Sequence, residues 1–182
     1  MPPKRKEDQG EVLTDTFRYP DGSFYEGKYG IKHDANAEAV SAVSATSSLS
    51  TAAKKHGPTG GAAAAATVAS SSAPATLNAY MHGYGILADS SSARYEGEWR
   101  NGLMEGMGVL SLPSGGRYTG EFARNEFHGT GRYMWADGSY YEGEWCRNQM
   151  HGLGVYVDCT GKRWHGTFTN GNAAQLVAKV EL

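Results

Sequence analysis

The 182-residue chain is 40% hydrophobic and 20% charged, with 17 Lys+Arg set against 19 Asp+Glu. A formal net charge of −2 supplies neither the basic field of a nucleic-acid binder nor the acidity of a solvated tail. Two cysteines, Cys146 and Cys159, are too few for a disulfide scaffold or a four-thiolate zinc site, and no apolar run approaches the roughly 20 residues of a membrane-spanning helix. What these figures leave unexplained is the excess of 25 glycines, 11 tyrosines, 5 phenylalanines and 4 tryptophans.

Residues 1–15 open with MPPKRKEDQG, which lacks the apolar core of a signal peptide, so the expected compartment is the reducing cytoplasm. Lys4-Arg5-Lys6 is followed at once by Glu7 and Asp8 and reads as a solvated, flexible N-terminal arm rather than a dedicated basic site. Residues 16–30 hold the first aromatic window, Phe17 to Tyr29, with DGSFYEGKY starting at Asp21. Residues 31–79 contain no aromatic, and 24 of these 49 residues are Ala or Ser. The Ala run has high helix propensity but no apolar stripe to dock, so too little surface is buried to offset ordering. A low-complexity, disordered insert is expected there.

Residues 80–171 carry a period. YEGEW begins at Tyr95, YTGEF at Tyr118, YEGEW at Tyr141 and WHGTF at Trp164, each step being 23 residues. MEGMG, FHGTG and MHGLG begin at Met104, Phe127 and Met150 in the same register, and turns follow at Pro113, Ala136 and Cys159. Repeats of this length signify an array of supersecondary units. DGSFYEGKY differs from DGSYYEGEW, which begins at Asp137, only at Phe24, Lys28 and Tyr29, so the first window is part of the array. Its second strand, MHGYG, starts at Met81, and excising 47 residues restores the spacing. The insert therefore splits one hairpin at its turn, where insertions are best tolerated.

Each unit reads as a β-hairpin. In Tyr95-Glu96-Gly97-Glu98-Trp99 the alternation places Tyr, Gly and Trp on one face and the glutamates on the other, and Asn101-Gly102 supplies a turn accepting positive φ. Glycines of the second strands, such as Gly106 and Gly108, leave room for neighbouring rings to lie against backbone. The expected fold is all-β: an elongated, single-layer antiparallel meander, completed by residues 172–182 as a closing strand. Two aromatic ladders run along it, Tyr25, Tyr95, Tyr118, Tyr141 and Trp164, and Tyr29, Trp99, Phe122, Trp145 and Phe168. A third row comprises Met81, Met104, Phe127 and Met150. Because a single sheet lacks a second layer, this face is expected to be half core and half docking groove. The residues assigned to that groove are Tyr95, Trp99, Met104, Tyr118, Phe122, Phe127, Tyr141, Trp145, Met150 and Trp164.

These units resemble the MORN family (membrane occupation and recognition nexus repeats), whose pattern is Y-x-G-x-W/F, a turn, H-G-x-G and a second turn. The resemblance implies a non-catalytic scaffold in a cytoskeletal setting, with short ciliary and sperm-associated members as the nearest kind. It implies a protein partner, helical or extended and of axonemal type, and a homodimer through sheet edges. The alternative it implies is a phosphoinositide-membrane adaptor. Against that, residues 80–171 hold 8 Lys/Arg and 10 Asp/Glu with no polybasic strip, so weak or no lipid binding is expected.

No residue set points to catalysis, a cofactor or a metal. His82, His128 and His151 recur at one repeat position, where Glu105 stands in the intervening unit. Copies on successive hairpins lie about 10 Å apart, too far to share an ion, and they read as hydrogen-bonding residues at strand entry. Glu96/Glu98 and Glu142/Glu144 read as cross-strand charge partners of Arg94, Arg117 and Arg163 on a wet face. Cys146 and Cys159 read as free thiols, and GMG and GTG lack the frame of a phosphate-binding loop.

Overall fold

The computed structural model describes residues 12–31, 49–52, 65–68 and 79–179. They form thirteen strands: β1 (Val12–Arg18), β2 (Phe24–Ile31), β3 (Leu49–Ala52), β4 (Ala65–Val68), β5 (Ala79–Ala88), β6 (Arg94–Arg100), β7 (Leu103–Ser111), β8 (Arg117–Ala123), β9 (Glu126–Met134), β10 (Tyr140–Cys146), β11 (Gln149–Val157), β12 (Arg163–Thr169) and β13 (Asn172–Lys179). Eleven of them make one open antiparallel sheet in chain order, with only β3 and β4 left out. No helix occurs among the described residues. The all-β meander expected from the repeat is thus the fold.

Two boundaries differ from expectation. The N-terminal arm was expected to reach residue 15, but β1 begins at Val12 because Leu13 and Phe17 pair with Tyr29 and Tyr25 of β2. Residues 1–11 of that arm lie outside the described residues. In the Ala/Ser-rich insert, β3 and β4 form a separate antiparallel ladder from Leu49↔Val68 to Ala52↔Ala65. The rest of residues 32–78, and with it the expectation of disorder there, lies outside the described residues. The hairpin itself closes across the insert, with Gly27 opposite Gly85 and Tyr29 opposite Met81. At the C-terminus, β13 pairs along β12 as the expected closing strand.

Each hairpin is bent at its glycines. Tyr95 and Trp99 are four residues apart on one strand, a span of roughly 13 Å if the strand were flat. Their ring centroids are nevertheless 4.9 Å apart, and the same pair in the next units, Tyr118–Phe122 and Tyr141–Trp145, stands at 5.1 and 5.3 Å. A compensating bulge sits opposite. Between Gly97↔Gly108 and Trp99↔Met104, Glu98 alone faces Glu105, Gly106 and Met107. Gly106, Gly129 and Gly152 hold φ of +63°, +56° and +57° in these bulges, which a β-carbon disfavours. The last hairpin has only one extra residue, Ala174, and no such glycine.

The bend closes the aromatic face upon itself, so rings meet edge to face along the whole array: Tyr95–Phe122 at 5.0 Å, Tyr118–Trp145 at 5.4 Å and Tyr141–Phe168 at 4.7 Å. Such pairs add about 0.5–1.5 kcal/mol each beyond the area they bury. The tyrosine rings lie over the paired glycines, where a β-carbon on Gly108 would strike Tyr95. Each phenol then reaches backbone, Tyr95, Tyr118 and Tyr141 donating to the carbonyls of Glu98, Glu121 and Glu144 at 2.9, 2.9 and 3.0 Å. The indoles of Trp99 and Trp145 donate to Gly85 and Gly131 of the preceding hairpins. A fourth row, Leu87, Leu110, Tyr133 and Tyr156, completes the core on the second strands.

Candidate functional site: the face opposite the aromatic core

Nine of the ten residues assigned to an aromatic groove are buried, from Tyr95, Met104, Tyr118, Phe127 and Tyr141 at 0% exposure to Met150 at 6%. Only Trp164, near the C-terminal end of the sheet, is half-buried. The expectation of a half-open docking surface there is therefore corrected: the folded-over strands supply the missing second layer. The structure brings the ten together as one core cluster, Trp164 lying against its margin.

The concave surface is on the other face. An open groove of about 1030 Å³ runs over β7 to β13, bounded among others by Met107, Arg132, Glu142, Leu153, His165 and Val177. Three of these are exposed apolar side chains, Met107 at 55%, Leu153 at 69% and Val177 at 71%. Parity explains the placement. The first strands carry Arg94/Glu96/Glu98, Arg117/Thr119/Glu121 and Tyr140/Glu142/Glu144 away from the core. The second strands carry Tyr84/Ile86, Met107/Val109, Thr130/Arg132 and Leu153/Val155 on that same face. Charged first strands therefore alternate with second strands that are apolar except at β9.

The glutamates do more than line a wet face. Glu121 accepts from the N–H and hydroxyl of Thr130 at 2.9 and 2.8 Å, and Glu144 from the Leu153 N–H at 3.1 Å. They thereby satisfy amides that the bulge removes from the ladder. The Thr130 bonds hold the Glu121 carboxyl below the usual glutamate range. Glu98, Glu121 and Glu144 lie over Gly106, Gly129 and Gly152, which leaves no room there for a β-carbon. Further along the face Glu96 accepts from the Tyr84 hydroxyl at 2.8 Å and from Arg94 at 2.7 Å, and both lower its pKa. Arg132 stacks over the Tyr140 ring at 3.8 Å and reaches Glu142 at 4.0 Å. The surface thus offers guanidinium, carboxylate and apolar groups in a fixed order.

The other candidates are accounted for by position. His128 and His151 are exposed, and their backbone carbonyls accept from the phenols of Tyr118 and Tyr141 at 3.3 and 3.1 Å. Cys146 and Cys159 are free thiols. Among the described residues, no group of three or more His, Cys, Asp or Glu is placed to hold a metal ion.

Two features went unread in the sequence. One is the apolar pair on three of the second strands, visible as Tyr84/Ile86, Met107/Val109 and Leu153/Val155 at intervals of 23 and 46 residues. The other is the pair Asn125 and Asn148, which tie each turn to the preceding hairpin.

No curated protein matches the chain. The MORN repeat family model matches residues 95–117, 118–140 and 141–163, three abutting segments whose length equals the period of the sheet. Residues 95–163 are thus similar to three consecutive MORN repeats, and the flanking strands continue the same meander on either side.

Proposed function

We propose that the chain is a non-catalytic scaffold that holds a segment of a protein partner on the groove face of its MORN sheet, opposite the aromatic core. The observation that carries this reading is the exposure of Met107, Leu153 and Val177 within one groove. Apolar side chains left in a concave, polar-rimmed surface mark an interaction site. The buried rings act as the frame that fixes the groove rather than as its contacts. The outer strands β1 and β13 each have a neighbour on one side only, and they offer a second route for a partner strand or a second copy. A ciliary or cytoskeletal setting is part of the proposal and rests on the likeness of the chain to short MORN proteins.

The test is affinity capture from cells expressing the full chain, wild type beside Leu153→Glu plus Val177→Glu. Both sites are exposed, so the fold tolerates the change, and circular dichroism checks this. Loss of the captured partners is expected, and an unchanged set would sink the groove reading. A membrane-adaptor role predicts flotation with phosphoinositide vesicles at physiological salt. With 8 Lys/Arg against 10 Asp/Glu in residues 80–171, the expected result is no flotation.

A further inference from the structure

Resting on the partner-binding reading, the geometry points to the class of segment that fits the groove: we infer an amphipathic α-helix laid across the strands. Two spacings select it. Apolar pairs occur on three of the four second strands from β5 to β11, Tyr84/Ile86 on β5, Met107/Val109 on β7 and Leu153/Val155 on β11. Strands lie about 4.8 Å apart, so the first two pairs stand about 9.6 Å apart and the third about 19 Å further on, one and two steps of the same length. A helix presents a residue on the same face every two turns, seven residues and about 10.5 Å. An extended strand presents one about every 6.6 Å and falls out of step. It also gains no ladder bonds over β5 to β11, because each of these strands is already paired on both sides.

Width and charge agree. One row of the face carries Arg94, Arg117 and Arg163, and a parallel row carries Glu98, Glu121 and Glu144. Arg94 and Glu98, like Arg117 and Glu121, are four residues apart, at most roughly 13 Å along a strand that bends at its glycine, a span within reach of the flanks of a helix 10–12 Å across. The helix therefore carries an apolar seam, acidic residues on the flank facing the arginine row and basic residues on the flank facing the glutamate row. These opposite flanks fix its direction. On β9 the apolar pair is replaced by Thr130 and Arg132, so the seam of the partner has one acidic residue there. A polar residue within an apolar seam sets register, as it does in coiled coils.

The chain itself serves as the ruler that tests this. In cells expressing the full chain, a photocrosslinking phenylalanine analogue replaces Met107 or, separately, Leu153, and the joined partner residues are mapped by mass spectrometry. β7 and β11 are four strand spacings apart, about 19 Å. A helical partner gives crosslinked residues about 13 apart in its own sequence. A separation of about 6 residues, expected for an extended or polyproline segment, overturns the helix and leaves the groove reading intact. No crosslink at either position, with capture of partners unaffected by Leu153→Glu, overturns both. As a second arm, the mapped segment is made as a peptide and titrated against the full chain. Arg117→Glu plus Arg163→Glu should weaken binding at least tenfold, and unchanged affinity overturns the charge assignment on which the direction of the helix rests.

Discussion

Two buried tyrosines with the same side chain have opposite roles. Tyr118 lies over Gly120 and Gly131, and its hydroxyl donates to the Glu121 carbonyl at 2.9 Å. Tyr133 is equally buried, at 1%, yet its hydroxyl, beside Gly116, meets no hydrogen-bond partner among the described residues. A made hydrogen bond contributes about 1 kcal/mol, and a buried polar group left unmade costs about 1–3 kcal/mol. Tyr118→Phe should therefore destabilise by about 1 kcal/mol, whereas Tyr133→Phe should be neutral or stabilising by up to about 1 kcal/mol. Urea denaturation followed by tryptophan fluorescence reads both, and equal losses in the two variants would refute the assignment. The ladder containing Tyr118 was legible from the 23-residue repeat. The orphan at Tyr133 was not, because only the three-dimensional surroundings of a hydroxyl decide whether it finds an acceptor.

Hairpins are joined by their turns as well as by their strands. The two central residues of each turn have positive φ, as in Arg124 and Asn125 at 52° and 70° and Arg147 and Asn148 at 50° and 64°. This is the mirror-image turn that matches hairpin twist. Its second residue reaches back to the preceding unit. Asn148 gives its N–H to the Phe127 carbonyl at 3.1 Å and accepts the Phe127 N–H on its side-chain oxygen at 2.7 Å. Asn125 does the same with Met104, while Gly102 and Gly171 provide only the backbone half of the clamp. Asn148→Ala removes the side-chain bond and strains an αL position, so a loss of about 2 kcal/mol is expected. Arg147→Asn replaces a long side chain at positive φ with a residue that accepts it, and a gain of about 0.5 kcal/mol is expected. Thermal melts of the two variants, compared with wild type, test the pair. The sequence shows where these turns lie, since Asn and Gly mark them. It does not show that Asn rather than Gly adds a bond, because the bond spans 21 residues and two hairpins.

At the scale of the whole molecule, stability depends on a core built from phenols and on a hairpin that closes over a long insert. Burial pushes the hydroxyls of Tyr25, Tyr95, Tyr118 and Tyr141 above the ordinary tyrosine value of 10.0. The folded chain therefore keeps protons that the unfolded chain releases, so stability is unaffected below about pH 10 and falls as pH rises beyond it. Denaturation midpoints that stay level up to about pH 11 would contradict this. The repeat made the sheet and its rings legible before any coordinates, because a fixed period constrains strand, turn and face together. Which face lay open was not legible, since the bend at the glycine pairs depends on how neighbouring rings close over them. The split hairpin gives the most direct measure of how local this array is. β2 and β5 keep the register of the other units although residues 32–78 intervene between them. Closing a loop of 49 residues instead of 2 costs about 2–3 kcal/mol in chain entropy, less whatever the β3–β4 ladder shortens. Replacing residues 31–79 with Asn-Gly should therefore leave the sheet intact and raise stability by about 2 kcal/mol. The denaturant slope should stay close to wild type, since the same core is exposed on unfolding. If the shortened chain loses its cooperative transition or falls in stability, residues 31–79 contribute contacts that hold the first hairpin together. If it gains as expected, the approach of β4 to β9 contributes less than the chain entropy that the insert costs.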